Sequence, residues 1–211
     1  MAIAEVYEHM FGEQRGGRLK TGMLVTHTRR WKTLRVALLV RRAELPDAAA
    51  VASLHVRSWQ SGYAGVISDD FLESLSGDLE KRTLDWQTKI LGAEAEGRFL
   101  LVAELDGELA GWLGGGAYRD TDLDEPSLGE VQACYVDPGH WRRGVGSALM
   151  SHALDRLARD GYTQAALWVL ADNPRARAFY EHHGWRLDDA HKIFEVAGER
   201  HREVRYRRLL A

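Results

Sequence analysis

The spacing of apolar residues divides the chain into short runs and helical repeats. An apolar run predicts a first buried strand over Leu34 to Arg41. Pro46 and Asp47 then indicate a helix start, because proline is tolerated in the first turn of a helix and an acidic residue is favoured there. A second helical stretch is expected from Asp69 to about Leu91, with an interruption near Gly77.

A hairpin is predicted in the middle of the chain. The pair Asp106-Gly107 separates two apolar segments, Phe99 to Leu105 and Leu109 to about Gly115, and Asp-Gly between such segments is typical of a tight turn between antiparallel strands. An acidic loop, Arg119 to Gly129, is expected after the hairpin.

The second half of the chain alternates between strand and helix patterns and ends in two strands. This order favours a mixed α/β sheet. The predicted segments are a strand Glu130 to Val136, a helix Gly144 to Arg159, a strand Thr163 to Leu170, a helix opened by Asn173-Pro174 and closed by Gly184, and strands His191 to Val196 and His201 to Leu209.

Length, charge and composition exclude several classes of protein. A length of 211 residues suits one domain, and a net charge of -3 gives no general attraction to nucleic acid or anionic membranes. The single cysteine, Cys134, excludes an internal disulfide framework and fits a reducing cytoplasm. No apolar run is long enough for a membrane span, and the N-terminus lacks the order of a signal peptide. We therefore expect a cytoplasmic protein.

Residues 1–33 are predicted to be a basic N-terminal extension, followed by one domain over residues 34–211. Arginine and lysine recur between Arg15 and Arg42 without any acidic residue. Such a run is usually a solvated tail. It could also be vector-derived, or result from translation that starts too early, with Met23 as another candidate start. The alternative is an arm that binds an acidic partner such as nucleic acid.

The segment after Val136 carries the clearest chemical pattern. A strand ends, a turn follows, and a helix starts at Gly144 and Gly146. Glycines allow the backbone to approach an anion, and the unpaired N–H groups of the first helical turn point at it. Arg142 and Arg143 add positive charge. The expected ligand is a phosphate or pyrophosphate.

Two better-known glycine motifs do not fit this segment. A dinucleotide fingerprint requires a third glycine where the chain has Leu149, and a P-loop requires Gly-Lys followed by Ser or Thr. A turn whose glycines serve geometry alone stays open as an alternative.

The segment Leu167 to Trp185 repeats the order of strand, turn and helix. Together with the segment that starts at Glu130, it resembles the coenzyme A site of the GNAT superfamily of N-acetyltransferases, and the resemblance extends over Leu34 to Leu209. It implies an α/β fold with a mixed, mostly antiparallel central sheet flanked by helices. It also implies acetyl-coenzyme A as cosubstrate, a small-molecule or peptide amine as acceptor, and a homodimer as a common assembly.

The resemblance also implies roles for particular residues. Tyr180, two helical turns after Asn173, would protonate the leaving thiolate; the alternative is aromatic packing beside Phe179. Asn173 would contact the coenzyme, although Asn before Pro is also an ordinary helix cap. Trp141 departs from the family pattern, which has Arg or Gln there, so Arg142 or Arg143 would compensate. The implied cofactor-binding residues are Val136, Arg142, Arg143, Gly144, Val145, Gly146, Ser147 and Asn173.

The residues that would bind and deprotonate the acceptor amine are less clearly predicted. Glu130 is the candidate general base because it begins the strand that leads to Val136; the alternative is a solvated carboxylate. Trp59 and Tyr63 are candidates for an aromatic wall or for the core. The acidic loop would attract a cationic amine or simply face solvent.

Cys134 is expected to be a small buried residue rather than a nucleophile. The histidines lack metal-ligand spacing, so no metal is expected. A coenzyme-binding sensor without turnover remains the alternative to an enzyme.

Overall fold

The computed structural model describes residues 37–123 and 125–210, which contain a seven-stranded sheet. The sheet order is β1-β2-β3-β4-β5-β7-β6, and every neighbouring pair is antiparallel except β4 and β5. This confirms the expected mixed, mostly antiparallel sheet. The strands are β1 (Leu38–Arg42), β2 (Arg98–Leu105), β3 (Glu108–Ala117), β4 (Leu128–Val136), β5 (Gln164–Leu170), β6 (Arg186–Val196) and β7 (Glu199–Leu209).

Five α-helices flank this sheet in the described part of the chain. They are α1 (Ala48–Gly62), α2 (Asp69–Ser74), α3 (Leu79–Gly92), α4 (Val145–Arg159) and α5 (Pro174–His182), with short 3-10 turns at Leu45–Asp47 and Pro138–His140. The interruption predicted near Gly77 is confirmed. Asp78 adopts a left-handed conformation there, and its carboxylate caps α3 by accepting a hydrogen bond from the backbone of Lys81.

The two faces of the sheet are covered by different helices. Helix α4 packs Leu149 and Leu157 against Leu113 and Val131 on one face. On the other face, α1 and α3 bury a second cluster that includes Leu54, Trp86, Val102 and Trp112. Removal of this apolar surface from water is the main stabilising contribution to the fold.

The predicted hairpin is confirmed, with Asp106 and Gly107 both at positive φ, as a tight turn between two strands requires. The strand predicted to begin at His191 instead begins at Arg186 as β6. Its pairing with β7 is irregular between Leu187 and His191. This irregularity and the polar sequence there conceal the start of the strand.

The predicted extension, residues 1–33, lies outside the described residues. No helix of the described part of the chain is long and apolar enough to cross a membrane.

Candidate active site

A wedge opens between β4 and β5. The two strands pair only from Leu128 to Glu130, where Glu130 lies opposite Ala166, and then diverge. The divergence leaves a cavity of about 340 Å³, lined by the ends of both strands and by α1, α4 and α5. Beyond Glu130, the backbone groups of β4 that face β5 have no strand partner in this ladder. They are placed to bind an extended ligand.

The N-terminus of α4 closes one end of this cavity. Gly144 precedes the helix at φ 85°, a left-handed conformation that glycine adopts without strain. No side chain of the described residues caps this helix, so the N–H groups of Val145, Gly146 and Ser147 remain open to a ligand. A Cβ on Gly146 would lie 3.3 Å from the Phe179 ring. The turn thus has the form of an anion site with little space for a side chain.

The arginines near this turn differ in their partners and in whether they line the cavity. Arg143 forms an ion pair with Asp106 at 3.3 Å and does not line the cavity, whereas Arg142 does. Arg175 also lines it, and its guanidinium lies 3.6 Å from the centre of the Trp141 ring. Arg175 has no ion-pair partner among the described residues. Sequence reasoning missed it, although it lies only two residues after Asn173.

The ring of Trp141 is fixed by its own hydrogen bond. Its indole Nε1 donates to the carbonyl of Val136 at 2.9 Å, and Ser58 donates to the same oxygen at 3.2 Å. The residue that departs from the family pattern therefore ties the end of β4 to the turn and supports Arg175.

Ser147 is held by a histidine. Nδ1 of His183 lies 2.8 Å from the carbonyl of Phe179, and Nε2 lies 3.0 Å from the Ser147 hydroxyl. A carbonyl oxygen can only accept, so Nδ1 carries the proton and Nε2 of a neutral ring accepts from Ser147. This orients the hydroxyl at the first turn of α4.

Asn173 and Tyr180 both line the cavity. The Asn173 side chain accepts a hydrogen bond from the backbone of Ala176 at 3.1 Å and so caps α5. Burial raises the pKa of Tyr180 well above its usual value, and Cys134 and Tyr63 raise it further. Its hydroxyl is therefore protonated at neutral pH.

The acceptor side of the cavity is aromatic. The hydroxyls of Tyr63 and Tyr135 lie 3.2 Å apart, and burial raises the pKa of Tyr63 to about 12. Trp59 is not among the lining residues and packs in the core. Cys134 does line the cavity, and burial raises the pKa of its thiol to about 12, so little of the nucleophilic thiolate is present.

Glu130 is not among the lining residues. Its side chain is 2% exposed, and its carboxylate accepts hydrogen bonds from the backbone, Nε and Nη2 of Arg119 at 3.2, 3.0 and 3.1 Å. The structure thus brings most of the sequence-predicted residues together and leaves Glu130 and Arg143 outside. Those that line the cavity are Val136, Arg142, Gly144, Val145, Gly146, Ser147, Asn173 and Tyr180.

The acidic loop pairs with the last two strands. Asp120 accepts from Lys192 at 2.6 Å, Asp122 pairs with Arg205, and Glu125 pairs with Arg207. Asp124 lies outside the described residues. The charges of the described loop carboxylates are therefore balanced within the protein.

A buried carboxylate that the sequence did not single out lies beside these pairs. Glu203 on β7 is 0% exposed, and neither carboxylate oxygen has a hydrogen-bond partner in the part of the chain that the structure describes. Within residues 37–123 and 125–210, no group of three His, Cys, Asp or Glu side chains is arranged to hold a metal ion.

A known family model matches more than half of the chain. The model described as the acetyltransferase (GNAT) family matches residues 54–185. The chain is also similar to YuaI of Bacillus subtilis, an uncharacterised N-acetyltransferase, with 31% identity over 78% of this chain and 89% of that protein. The mycothiol acetyltransferase of Beutenbergia cavernae is 44% identical over 74 residues, which cover 35% of this chain and 25% of that relative.

Solved structures share the fold. The PaiA N-acetyltransferase of Thermoplasma acidophilum, solved in complex with coenzyme A, has a TM-score of 0.62 at 20% identity, covering 79% of this chain and 98% of that one. YncA of Salmonella typhimurium, solved with acetyl-coenzyme A, has a TM-score of 0.61 at 20% identity, with coverages of 83% and 95%.

Proposed function

Because the chain belongs to the acetyltransferase (GNAT) family, we propose that it transfers the acetyl group of acetyl-coenzyme A directly to an amine in the wedge between β4 and β5. Acetyl-coenzyme A is the cosubstrate of this acyltransferase. The observation that carries the proposal is the uncapped N-terminus of α4 at the end of a cavity lined by unpaired β4 backbone.

The cavity suits the coenzyme along its length. The unpaired backbone of β4 and Asn173 would hold the pantetheine arm, and the N–H groups of Val145 to Ser147 would hold the pyrophosphate. Arg142 and Arg175 supply positive charge at that end. The thioester then lies toward Tyr180.

Tyr180 acts as the general acid. The amine nitrogen attacks the thioester carbonyl carbon, the C–S bond breaks, and the thiolate takes a proton from the Tyr180 hydroxyl. The Tyr180 phenolate is reprotonated from solvent before the next turnover. Because burial raises its pKa, the Tyr180 hydroxyl is protonated at neutral pH before the C–S bond breaks. Direct transfer also agrees with the raised pKa of Cys134, since an acetyl-cysteine intermediate would require a thiolate.

The acceptor is a primary amine on a small molecule or peptide. The part of the chain similar to mycothiol acetyltransferase supports a small-molecule acceptor. The attacking amine must lose a proton, and Glu130 is the sequence-derived candidate for the base. Its oxygens accept hydrogen bonds from Arg119, and Glu130 is not among the residues that line the cavity.

Calorimetric titration of acetyl-coenzyme A tests the coenzyme site. The Gly146→Glu variant places a side chain and a negative charge where the pyrophosphate would lie, so we expect no measurable binding, in contrast to the wild type. Ser151→Glu adds the same charge to an exposed position of the same helix and is expected to bind like the wild type. Thermal melting of both variants confirms that they fold.

Three outcomes distinguish the possibilities. No binding by the wild type would overturn the proposed function. Equal binding by the wild type and by a folded Gly146→Glu variant would show that the coenzyme does not bind at the α4 turn. Binding without release of free thiol in the presence of any primary amine would indicate a sensor rather than an enzyme.

A further inference from the structure

Ser147 and His183 join the first turn of α4 to the end of α5. Ser147 lines the cavity, whereas His183 is not among the lining residues. Nδ1 of His183 lies 2.8 Å from the Phe179 carbonyl, and Nε2 lies 3.0 Å from the Ser147 hydroxyl. The Phe179 ring packs beside the imidazole, with the ring centres 4.3 Å apart. These three contacts hold the imidazole in one orientation.

The protons of this pair decide what Ser147 can offer to a ligand. A carbonyl oxygen only accepts, so Nδ1 carries the proton of the neutral ring and Nε2 accepts the hydroxyl proton of Ser147. A serine hydroxyl has one proton, and its oxygen then presents only lone pairs to the cavity. A phosphate oxygen needs a donor. While His183 is neutral, the Ser147 hydroxyl is therefore a poor partner for the anion that the neighbouring N–H groups would attract.

Protonation of the His183 ring reverses the direction of its hydrogen bond to Ser147. An imidazolium has an N–H group at both positions. Nδ1 therefore still donates to Phe179, while Nε2 now donates to the Ser147 oxygen. The Ser147 proton is released from this contact and becomes available to an oxygen of a bound phosphate. The ring does not have to rotate, because both of its partners can accept.

We infer that His183 is a positioning residue for the coenzyme, and that its protonation turns the Ser147 hydroxyl into a donor to the pyrophosphate. The inference rests on the proposed function. His183 takes up one proton from solvent at Nε2 when the pyrophosphate binds, and no covalent bond of the coenzyme changes. Because the anion favours the protonated ring, the affinity for the coenzyme should rise as pH falls.

The surroundings of His183 make its charge depend on a bound anion. His183 caps the C-terminus of α5, where the helix dipole favours a cation, but it also contacts the first turn of α4, where the dipole opposes one. The other titratable or charged groups at these contacts are His182, whose ring centre lies 5.3 Å away, and Arg208 of β7, which donates to the His183 carbonyl. Neither supplies a negative charge. A bound pyrophosphate would therefore be the counterion of the imidazolium.

The first test is calorimetric titration of coenzyme A between about pH 5 and pH 8, the range over which histidine changes its charge. His183→Phe keeps an aromatic ring beside Phe179 but has no proton to exchange. We expect the ratio of wild-type to His183→Phe affinity to rise about tenfold toward acidic pH, the equivalent of one charge-assisted hydrogen bond. The phosphate monoester of coenzyme A also titrates near pH 6, but it does so with every variant and cancels from the ratio.

Two further variants separate the hydroxyl from the charge of the ring. Ser147→Ala should lose most of the rise in affinity, because the imidazolium then has no hydroxyl to orient. His152→Gln is the matched control and should keep the full rise. His152 of α4 makes the same kind of contact, from Nδ1 to the Ala148 carbonyl at 2.9 Å, at an exposed position outside the cavity lining. Thermal melting confirms that each variant folds.

The second test is NMR titration of the His183 ring, which reads the wild-type protein without turnover. In the free protein at the alkaline end, the ring nitrogen signals should place the proton on Nδ1. Coenzyme A should move the midpoint of the titration to higher pH by about one pH unit, because a tenfold coupling acts equally on the proton and on the ligand.

The outcomes separate the two proposals. A wild type that binds no coenzyme A at any pH overturns the proposed function and this inference with it. Binding with the same pH profile in the wild type and in a folded His183→Phe variant overturns this inference alone. So does a folded Ser147→Ala variant that keeps the full rise, since the charge of the ring would then act without the hydroxyl. A proton on Nε2 of the neutral ring in the free wild type has the same consequence, even where a variant does not fold.

Discussion

Two buried glutamates of the sheet show how hydrogen-bond partners decide whether a buried carboxylate stabilises the fold. Glu130 on β4 and Glu203 on β7 are both almost fully buried. Glu130 is held by the guanidinium and backbone of Arg119, whereas Glu203 has no hydrogen-bond partner among the described residues. The first therefore stabilises the fold and the second destabilises it when charged.

This contrast predicts that Glu130→Gln lowers the free energy of unfolding. The amide that replaces the carboxylate would retain one acceptor but lose the charge that pairs with Arg119, a loss of about 1–3 kcal/mol for a buried charged hydrogen bond. Urea denaturation followed by fluorescence measures it.

The matched control is Glu195→Gln. Glu195 pairs with Arg200 at 3.0 Å, but both side chains are about two thirds exposed, at 67% and 69%. An exposed pair contributes roughly 0–1 kcal/mol, so we expect little change. Equal losses in the two variants would show that burial of the Glu130 pair confers no extra stability.

At the scale of elements, the turn between β4 and α4 is held by contacts with α5. Trp141 donates to the end of β4 and stacks beneath Arg175 of α5. An arginine above an aromatic ring gains from the negative face of the ring. Arg175 is thereby held over the cavity with its N–H groups available to a phosphate.

Arg175→Gln should therefore weaken acetyl-coenzyme A binding about tenfold, the equivalent of one charge-assisted hydrogen bond. The dissociation constant should also depend less on salt, because one charge pair has been removed. Calorimetry at two salt concentrations measures both effects. Arg200→Gln, an exposed arginine of β7, is the control, and equal affinity of Arg175→Gln and wild type would exclude a phosphate contact.

The sequence predicted those elements whose geometry depends on residues adjacent in the chain. Asp106-Gly107 fixes a turn by its own backbone preference, and Gly144 marks the start of α4. The start of β6 at Arg186 was missed, because its first residues pair irregularly with β7 and alternate weakly between buried and exposed positions.

The residues of the candidate site and its surroundings also divide into those that local sequence predicts and those that depend on the pairing of distant strands. The anion turn from Gly144 to Ser147 was predictable because strand, turn and helix are contiguous in the chain. The burial of Glu203 was not predictable, because it depends on the pairing of β7 with β5, where Glu203 lies opposite Leu170. A charged residue between Arg202 and Val204 reads in sequence as an ordinary outward-facing strand position.

At the scale of the whole molecule, the two faces of the sheet have different chemistry. The face under α4 is an apolar core. The opposite face carries the aromatic residues of α1 and, beyond them, the charged side chains of Asp120, Lys192 and Glu203. The wedge between β4 and β5 connects these two environments.

We expect residues 1–33 to contribute nothing to the coenzyme site. The lining residues run from Ser58 to Tyr180, the family match runs from residue 54 to residue 185, and β1 begins at Leu38. Deletion of Met1 to Thr33 should therefore leave the calorimetric affinity for acetyl-coenzyme A unchanged. A loss of affinity with the fold intact would place part of the basic extension at the coenzyme site.

The same deletion decides whether the extension is an arm for an acidic partner. Binding to DNA through many lysines and arginines weakens steeply as salt rises, because bound cations are released from the phosphates. With a net charge of -3 over the whole chain, we expect neither the full chain nor the truncated one to bind a DNA duplex at physiological salt. Binding by the full chain that falls steeply with salt and disappears on truncation would contradict the solvated-tail interpretation and assign the extension a nucleic-acid partner.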